Sequence, residues 1–447
     1  MTTDVTTSQL KKTMGLTSVV VFGTGTAIGV SIFSVFQPAA LQAGSGLLLA
    51  ILLAAIPMVF FGMSYAYLAS ADPRTGASYE WPRRYLSPIV GFLVVWLRLL
   101  TNVGAITVLG LVLVNYLSMV TALPLKPTMA LIFTVVFGVN LLGGKSAARA
   151  QLAMMVLLVI MLGIFVTTGF TKGDIAMVGP IFDNSWWAIL GAVPLLISLF
   201  LGIETAVEMG GEIKDAERTI PKGIVLAIAL TAVIYSAVAY VALALIGPEA
   251  LATSSAPLFD AGQVAMGDWA LLVIVGAATV SILTTVNSLA LVFSRTLFAL
   301  GRSQALPAAL GKVSGVNQTP RIAILTAYAL VMCGLFLPPS LTFLLLAVNI
   351  PTMFKYMACS AAAVQVVRKF PVIRKRARLK FSPGFVKVTS CISVVLAVAV
   401  ILLGLSADWR PYILIGGWLI AGWIFWLLYS RQRVIPVVAD AEENAHG

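Results

Sequence analysis

The chain has 447 residues, of which 60% are apolar and only 10% charged, with a mean hydropathy of +1.01. Soluble domains carry about 25% charged residues, so this composition excludes a soluble enzyme. It also excludes a transmembrane β-barrel, which would show short alternating segments, whereas apolar runs of about 20 residues, enough to cross roughly 30 Å of hydrocarbon as helix, recur from end to end.

The chain therefore reads as an all-α polytopic membrane protein of about twelve transmembrane helices. The expected spans are 15–38, 44–69, 88–118, 128–143, 148–170, 187–209, 221–246, 268–299, 321–337, 341–366, 383–405 and 411–430. The net charge of +12 is distributed as the positive-inside rule requires. Of the 29 Lys and Arg residues, 24 fall in alternate loops and the tails, including the basic stretch 368–380, while the opposite loops hold only Lys126, Lys172 and Arg410. Both termini are thus expected in the cytoplasm, in a multi-pass protein of the inner (cytoplasmic) membrane. The charge calls for no nucleic acid; the partners expected are the bilayer and a small-molecule substrate. A cleavable signal is not expected, because the first apolar run is too long and others follow it.

Span one, VVVFGTGTAIGVSIFSVF (19–36), is interrupted by Gly23, Gly25 and Gly29, with Thr24, Thr26 and Ser31 between them. Glycine is poor in a helix interior, and unwound backbone inside a membrane is tolerated only where it lines a protected cavity. Freed N–H groups at a half-helix end would suit a carboxylate. The alternative is close packing of small residues between helices.

Span three carries an intramembrane cation, Arg98. Span six, within LLISLFLGIETAVEMGGEIKDAERTIPKGI (195–224), places Gly202 before Glu204, with Glu208 one turn later on the same face. An acid inside the membrane is costly and points to function. Lys355, in span ten, lies about thirteen residues before Arg368 and is too deep to reach the interface easily. Spans one and six open two five-helix halves, and interruptions at matching places point to an inverted-repeat transporter with a midplane site.

Catalytic and metal sites are not expected. The single histidine, His446, lies in the tail, and Cys333, Cys359 and Cys391 lack metal-ligand spacing and read as small reduced packing residues. A channel would need a repeated polar face, which the spans do not carry.

The residues resemble the amino acid–polyamine–organocation transporters along most of the chain. GTAIGVSIF (25–33) resembles the span-one signature of that family, with Val30 and Ser31 where a small residue and the last glycine are usual. DPRTGASYEWPRR (72–84) resembles the loop after span two. FLGIETAVEMGGEIKDAERTIPKGI (200–224) is similar to the span-six segment, with Ala216 where proline is usual, and SRTLFALGRSQALP (294–307) to the end of span eight.

The resemblance implies a LeuT-like 5+5 inverted repeat: 15–170 as the first half, 187–366 as the second, 383–430 as two further helices, and tails at 1–14 and 431–447. It also implies alternating access. Backbone near Thr26, Ala27, Ile28, Gly29, Val30 and Ser31 would meet the α-amino and α-carboxyl groups of a substrate, completed by Ser198, Phe200, Leu201 and Gly202. Arg98, Thr101 and Asn102 share a helical face by their spacing, and Leu289 would reach the pocket with Asn287 and Ser288 nearby.

Ser198 and Leu289 stand where the arginine/agmatine exchangers of the family have tryptophans, and Arg98 where they have a tyrosine. Without that platform a guanidinium loses its cation–π contact, and Arg98 would repel a cation. Small neutral or acidic amino acids are therefore favoured, with a polyamine or other small organic amine as the alternative.

Arg98 has two readings: bidentate capture of a substrate carboxylate, or an ion pair with Glu204 or Glu208. Glu204, Glu208 and Lys355 are the candidates for coupling or gating. Span five has Leu158 where several proton-coupled or sodium-independent relatives place a lysine. Ser281, Thr284 and Thr285 in span eight could ligate Na⁺ or simply satisfy their own helix. No cofactor is expected; exchange or proton coupling comes before sodium. A monomer or homodimer is expected.

Overall fold

The computed structural model of this protein describes residues 15–74, 76–142, 147–182, 185–203, 207, 213–312 and 320–433. Long apolar stretches without water must satisfy their backbone internally, which forces helices. The order is α1 (Leu16–Ser31), α2 (Phe36–Ala43), α3 (Leu47–Ala71), α4 (Ala77–Tyr85), α5 (Pro88–Leu117), α6 (Leu125–Leu142), α7 (Ala147–Lys172) and α8 (Trp186–Leu196). It continues with α9 (Ala216–Thr253), α10 (Pro257–Met266), α11 (Gly276–Arg302, entered through a π turn at Leu271–Val275), α12 (Arg321–Gly334), α13 (Leu341–Lys369), α14 (Pro371–Arg376), α15 (Pro383–Ala407) and α16 (Arg410–Phe425). Among the described residues, seven helical stretches are long and apolar enough to cross a bilayer, and four shorter apolar helices accompany them.

Helix starts follow local chemistry. Ser87, Ser340 and Ser382 each accept the backbone N–H three residues on, at 3.4, 3.3 and 3.1 Å, a serine cap of the usual kind. Pro88 and Pro383 occupy first-turn positions, where the missing N–H costs nothing. The outward faces of these helices are apolar: Leu52, Val225, Val233, Leu402 and Ile413 are all exposed. Such continuous greasy surface is what lipid covers.

Span one departs from expectation. The helix runs unbroken through Gly23, Gly25 and Gly29 and stops only after Ser31, with a turn at 32–35 before α2. Gly23 is a packing residue: a Cβ there would stand 3.3 Å from the Ala227 Cβ and 3.5 Å from the Ile203 carbonyl oxygen. The small-residue alternative thus describes Gly23, and the interruption falls further along. In span six, α8 gives way to a 3-10 turn at Ile197–Phe200 and then to Gly202 at φ 108°. Cys359 is buried, while Cys333 and Cys391 are exposed rather than packed inside; all three are free thiols.

α1 packs on α9, on the turn 197–200 and on α11; α5 packs on α11, α13 and α16; α13 also meets α15 and the same turn. The α5–α16 seam is clasped reciprocally. Trp96 Nε1 donates to the Trp418 carbonyl and Trp418 Nε1 to the Trp96 carbonyl, both at 2.8 Å, and the two rings stack at 4.8 Å. Trp418→Phe keeps a ring but removes one donor, so unfolding in detergent should ease by about 1 kcal/mol; an unchanged melting curve would mean the clasp is incidental.

At the start of α16, Asp408 accepts from the Arg410 amide at 2.9 Å and pairs with its guanidinium at 2.7 Å. The hydrogen bonds from Arg410 hold the Asp408 carboxyl below its usual value of 3.8. This contribution is present above the unfolded value and is lost as pH falls through the folded one. Asp408→Asn should therefore lower stability at neutral pH, and the gap from wild type should close in acid below about pH 4. A gap independent of pH would sink this assignment.

Candidate functional site

The interrupted ends of spans one and six meet. The last residue of α1, fully buried Ser31, donates its hydroxyl to the carbonyl of Ser198 at 2.5 Å. Ser198 is itself buried and donates its own hydroxyl to the Leu195 carbonyl at 2.8 Å. Two segments 167 residues apart in sequence are thus joined where both stop being regular helix.

A helix end leaves carbonyls without intrahelical donors, and in the membrane each must find another. α8 ends near Pro194, and Asn349 from the middle of α13 supplies the donor: its Nδ2 reaches the Pro194 carbonyl at 2.8 Å and the Leu195 carbonyl at 3.1 Å. From α9, buried Tyr235 donates to the Ala27 carbonyl at 2.8 Å and pins α1 one turn before its end. Sequence reasoning passed over both residues. The signal was there for Asn349, an amide in the apolar run LTFLLLAVNIPTMF, because polar groups inside a membrane are expensive unless partnered.

Of the other span-one candidates, Ala27 is buried. Thr26, Ile28, Gly29 and Val30 are placed on α1 by the backbone, and their side chains lie outside the described residues. Phe200 is buried in the 3-10 turn, and Leu201 and Gly202 follow it partly exposed. Glu204 and Glu208 lie outside the described residues.

On α5, Arg98 and Thr101 are half-buried and Asn102 is buried. Thr101 donates back to the Leu97 carbonyl at 3.2 Å, and the Asn102 amide nitrogen finds no acceptor among the described residues. Leu289, on α11, is half-buried. Its neighbour Asn287 accepts from Asn140 of α6 at 2.9 Å, on the seam toward that helix. Thr284 and Thr285 donate back to the Val280 and Ser281 carbonyls at 2.6 and 2.8 Å, so both hydroxyl protons serve their own helix, and Ser281 is buried. Lys355, half-buried on α13, holds its ammonium 4.8 Å from the centre of the Tyr356 ring, a cation–π distance. In span five, Leu158 is buried.

The loop motif after span two builds a second polar cluster. The Asp72 carboxylate accepts from Arg74 Nε at 2.8 Å and from the Tyr85 hydroxyl at 2.6 Å, while its carbonyl accepts from Trp81 at 3.0 Å. Burial, then the Asp72 charge, pushes the Tyr85 phenol far above its ordinary range, so it remains a donor. Glu80 pairs with Arg83 and Arg84 at 3.3 and 3.0 Å. Nearby, the Arg378 amide donates to the Ser70 carbonyl at 3.1 Å and its guanidinium pairs with Glu217 at 2.5 Å, tying the basic stretch to the ends of α3 and α9. These residues organise the helix ends and their connections.

A multi-pass helical protein whose two interrupted spans are joined by a buried hydrogen bond from a serine hydroxyl to a backbone carbonyl is, in class, a membrane transporter. The chain belongs to the amino acid permease family of the amino acid–polyamine–organocation superfamily, whose pattern it matches over residues 14–425. It is 33% identical over 325 residues to an uncharacterized transporter of Mycobacterium tuberculosis (strain ATCC 25618 / H37Rv), covering 72% of this chain and 73% of that one. It is 24% identical over 448 residues to the branched-chain amino acid permease BcaP of Bacillus subtilis (strain 168), covering 95% and 94% of the two chains. It is also 24% identical over 447 residues to the methylthioribose transporter of the same organism, with the same coverage.

Proposed function

We propose that the protein is a secondary active transporter of amino acids, working by alternating access in the cytoplasmic membrane with both termini inside. Residues 15–170 and 187–366 form the two inverted halves in this reading, and 383–430 two accessory helices. The observation that carries it is the buried junction of Ser31 with Ser198, where spans one and six are both interrupted. Interrupted helices at corresponding places in two halves are where such carriers hold the charged ends of a substrate. The backbone around Ala27–Ser31 and Ser198–Gly202 would take the α-amino and α-carboxyl groups, and Leu289 with the Arg98–Thr101–Asn102 face would meet the side chain.

Small neutral or acidic amino acids would suit a site formed by buried Phe200, half-buried Leu289 and half-buried Arg98 of α5. The substrate class in the name of BcaP, branched-chain amino acids, agrees with the neutral reading. Uptake of a labelled amino-acid panel into proteoliposomes tests the proposal. Uptake only with amino acid trapped inside means exchange, whereas uptake into empty vesicles under an imposed proton gradient means symport. No uptake of any amino acid overturns the reading in favour of amines or other small solutes; methylthioribose belongs in the panel because one relative carries that name.

Within symport, Glu204 is the proton carrier proposed, and Glu204→Gln should flatten the pH dependence of uptake. Arg98→Ala should lower acidic-substrate uptake tenfold or more while sparing neutral substrates, the loss of a charge-assisted pair of about 1.5–3 kcal/mol. Equal loss for every substrate would assign Arg98 to an internal ion pair.

A further inference from the structure

A carbonyl oxygen has two lone pairs, and at Ser198 both are in use. One takes the Ser31 hydroxyl at 2.5 Å, and the other the Leu201 amide at 3.3 Å. The Leu201 bond closes the 3-10 turn on which the exit of the span-six backbone depends, so the acceptor capacity that can change partner is the one held by Ser31. A residue without a side-chain hydroxyl at position 31 would have nothing to donate to this carbonyl. Ser31 has no need of this bond to end its helix, since its own carbonyl already accepts the Ser34 and Val35 amides, both at 3.1 Å.

We propose that Ser31 is a specificity-determining residue whose hydroxyl competes with the α-ammonium group of the substrate for the Ser198 carbonyl. The inference rests on the amino-acid reading above, in which span-six backbone receives that ammonium. Binding then exchanges one hydrogen bond for another: the Ser31 O–H leaves the carbonyl and an N–H of the ammonium takes its place. Because the displaced bond is buried, the competition lowers affinity for every substrate that carries an ammonium and leaves untouched any ligand with no donor at that position. Ser31 acts by holding the acceptor, so it should influence KM rather than the chemistry of the side-chain pocket.

The test compares wild type with Ser31→Ala and Ser31→Gly in proteoliposomes. The probes are L-leucine, L-alanine and L-glutamate, each set against its deamino analogue (4-methylpentanoate, propanoate and glutarate), in which hydrogen replaces the ammonium and no donor remains at that position. Both variants should lower KM for the transported amino acids about threefold to tenfold, the range of one net hydrogen bond, with inhibition by the deamino analogues unchanged. If KM is unchanged, or if KM and inhibition by the deamino analogues shift together, the hydrogen bond is only a tie between the two spans and the proposal is overturned. Failure of both variants to fold overturns it as well, because the bond is then needed to hold the two spans together. If wild type takes up none of the three amino acids, the functional reading itself has failed and this inference falls with it; transport by wild type with unaltered variants removes Ser31 alone.

Discussion

Replacing Asn349 by leucine should destabilise the protein by about 1–3 kcal/mol and abolish uptake. The amide is fully buried and donates to two carbonyls at the end of α8. Removing it takes the side-chain donor from the buried Pro194 carbonyl, at a cost of about 1–3 kcal/mol, while the Leu195 carbonyl keeps the Ser198 hydroxyl. No solvent stands ready to replace it in the middle of a bilayer. Thermal unfolding in detergent and counterflow uptake measure the two effects. Asn349→Asp and Asn349→Gln separate geometry from chemistry, since glutamine keeps an N–H donor on a longer arm and a carboxylate has none to offer. An unfolding profile close to that of wild type would show that these carbonyls draw on another donor.

Gly202→Ala should reduce transport at least tenfold with the protein still inserted. The residue has φ 108°, a region that L side chains rarely adopt, and forcing one there costs about 1–3 kcal/mol. The chain would relieve that strain by re-forming the turn after Phe200, which moves the Ser198 and Leu201 backbone groups out of register with α1. Leu201→Ala is the matched control. Its backbone lies at φ −70° and ψ 133°, an extended conformation open to any residue, so only side-chain contacts change. Equal transport by the two variants would show that the conformation at position 202 is unimportant.

Much of the architecture was legible because hydropathy and helix length are local properties. The expected spans at 88–118, 341–366 and 383–405 correspond to α5, α13 and α15 within a few residues, with serine caps and first-turn prolines marking two of those starts. The glycine break in span six was legible for the same reason: one residue with no Cβ, just before an acid in an apolar run, sets its own backbone freedom. The glycines of span one left unwinding and close packing both open, and for Gly23 the neighbours Ala227 and Ile203 decide for packing. A glycine that unwinds a helix and one that lets another helix approach look alike until the neighbour is known.

The site shows the same division. Sequence alone determined a helical, multi-pass membrane chain, the places where its first span carries glycine and its sixth glycine and charge, and the resemblance that the family match then established. Tertiary structure decided which groups meet there. The hydroxyl of Ser31 could have turned back to its own helix, as those of Thr284 and Thr285 do, and Asn349 could have been one more polar residue in an apolar span. Their partners lie 167 and 155 residues away. The physical reason is that hydropathy acts on each segment separately, through transfer into lipid. A buried hydrogen bond instead fixes distance and direction to within a few tenths of an ångström, and that relation exists only once the helices have packed.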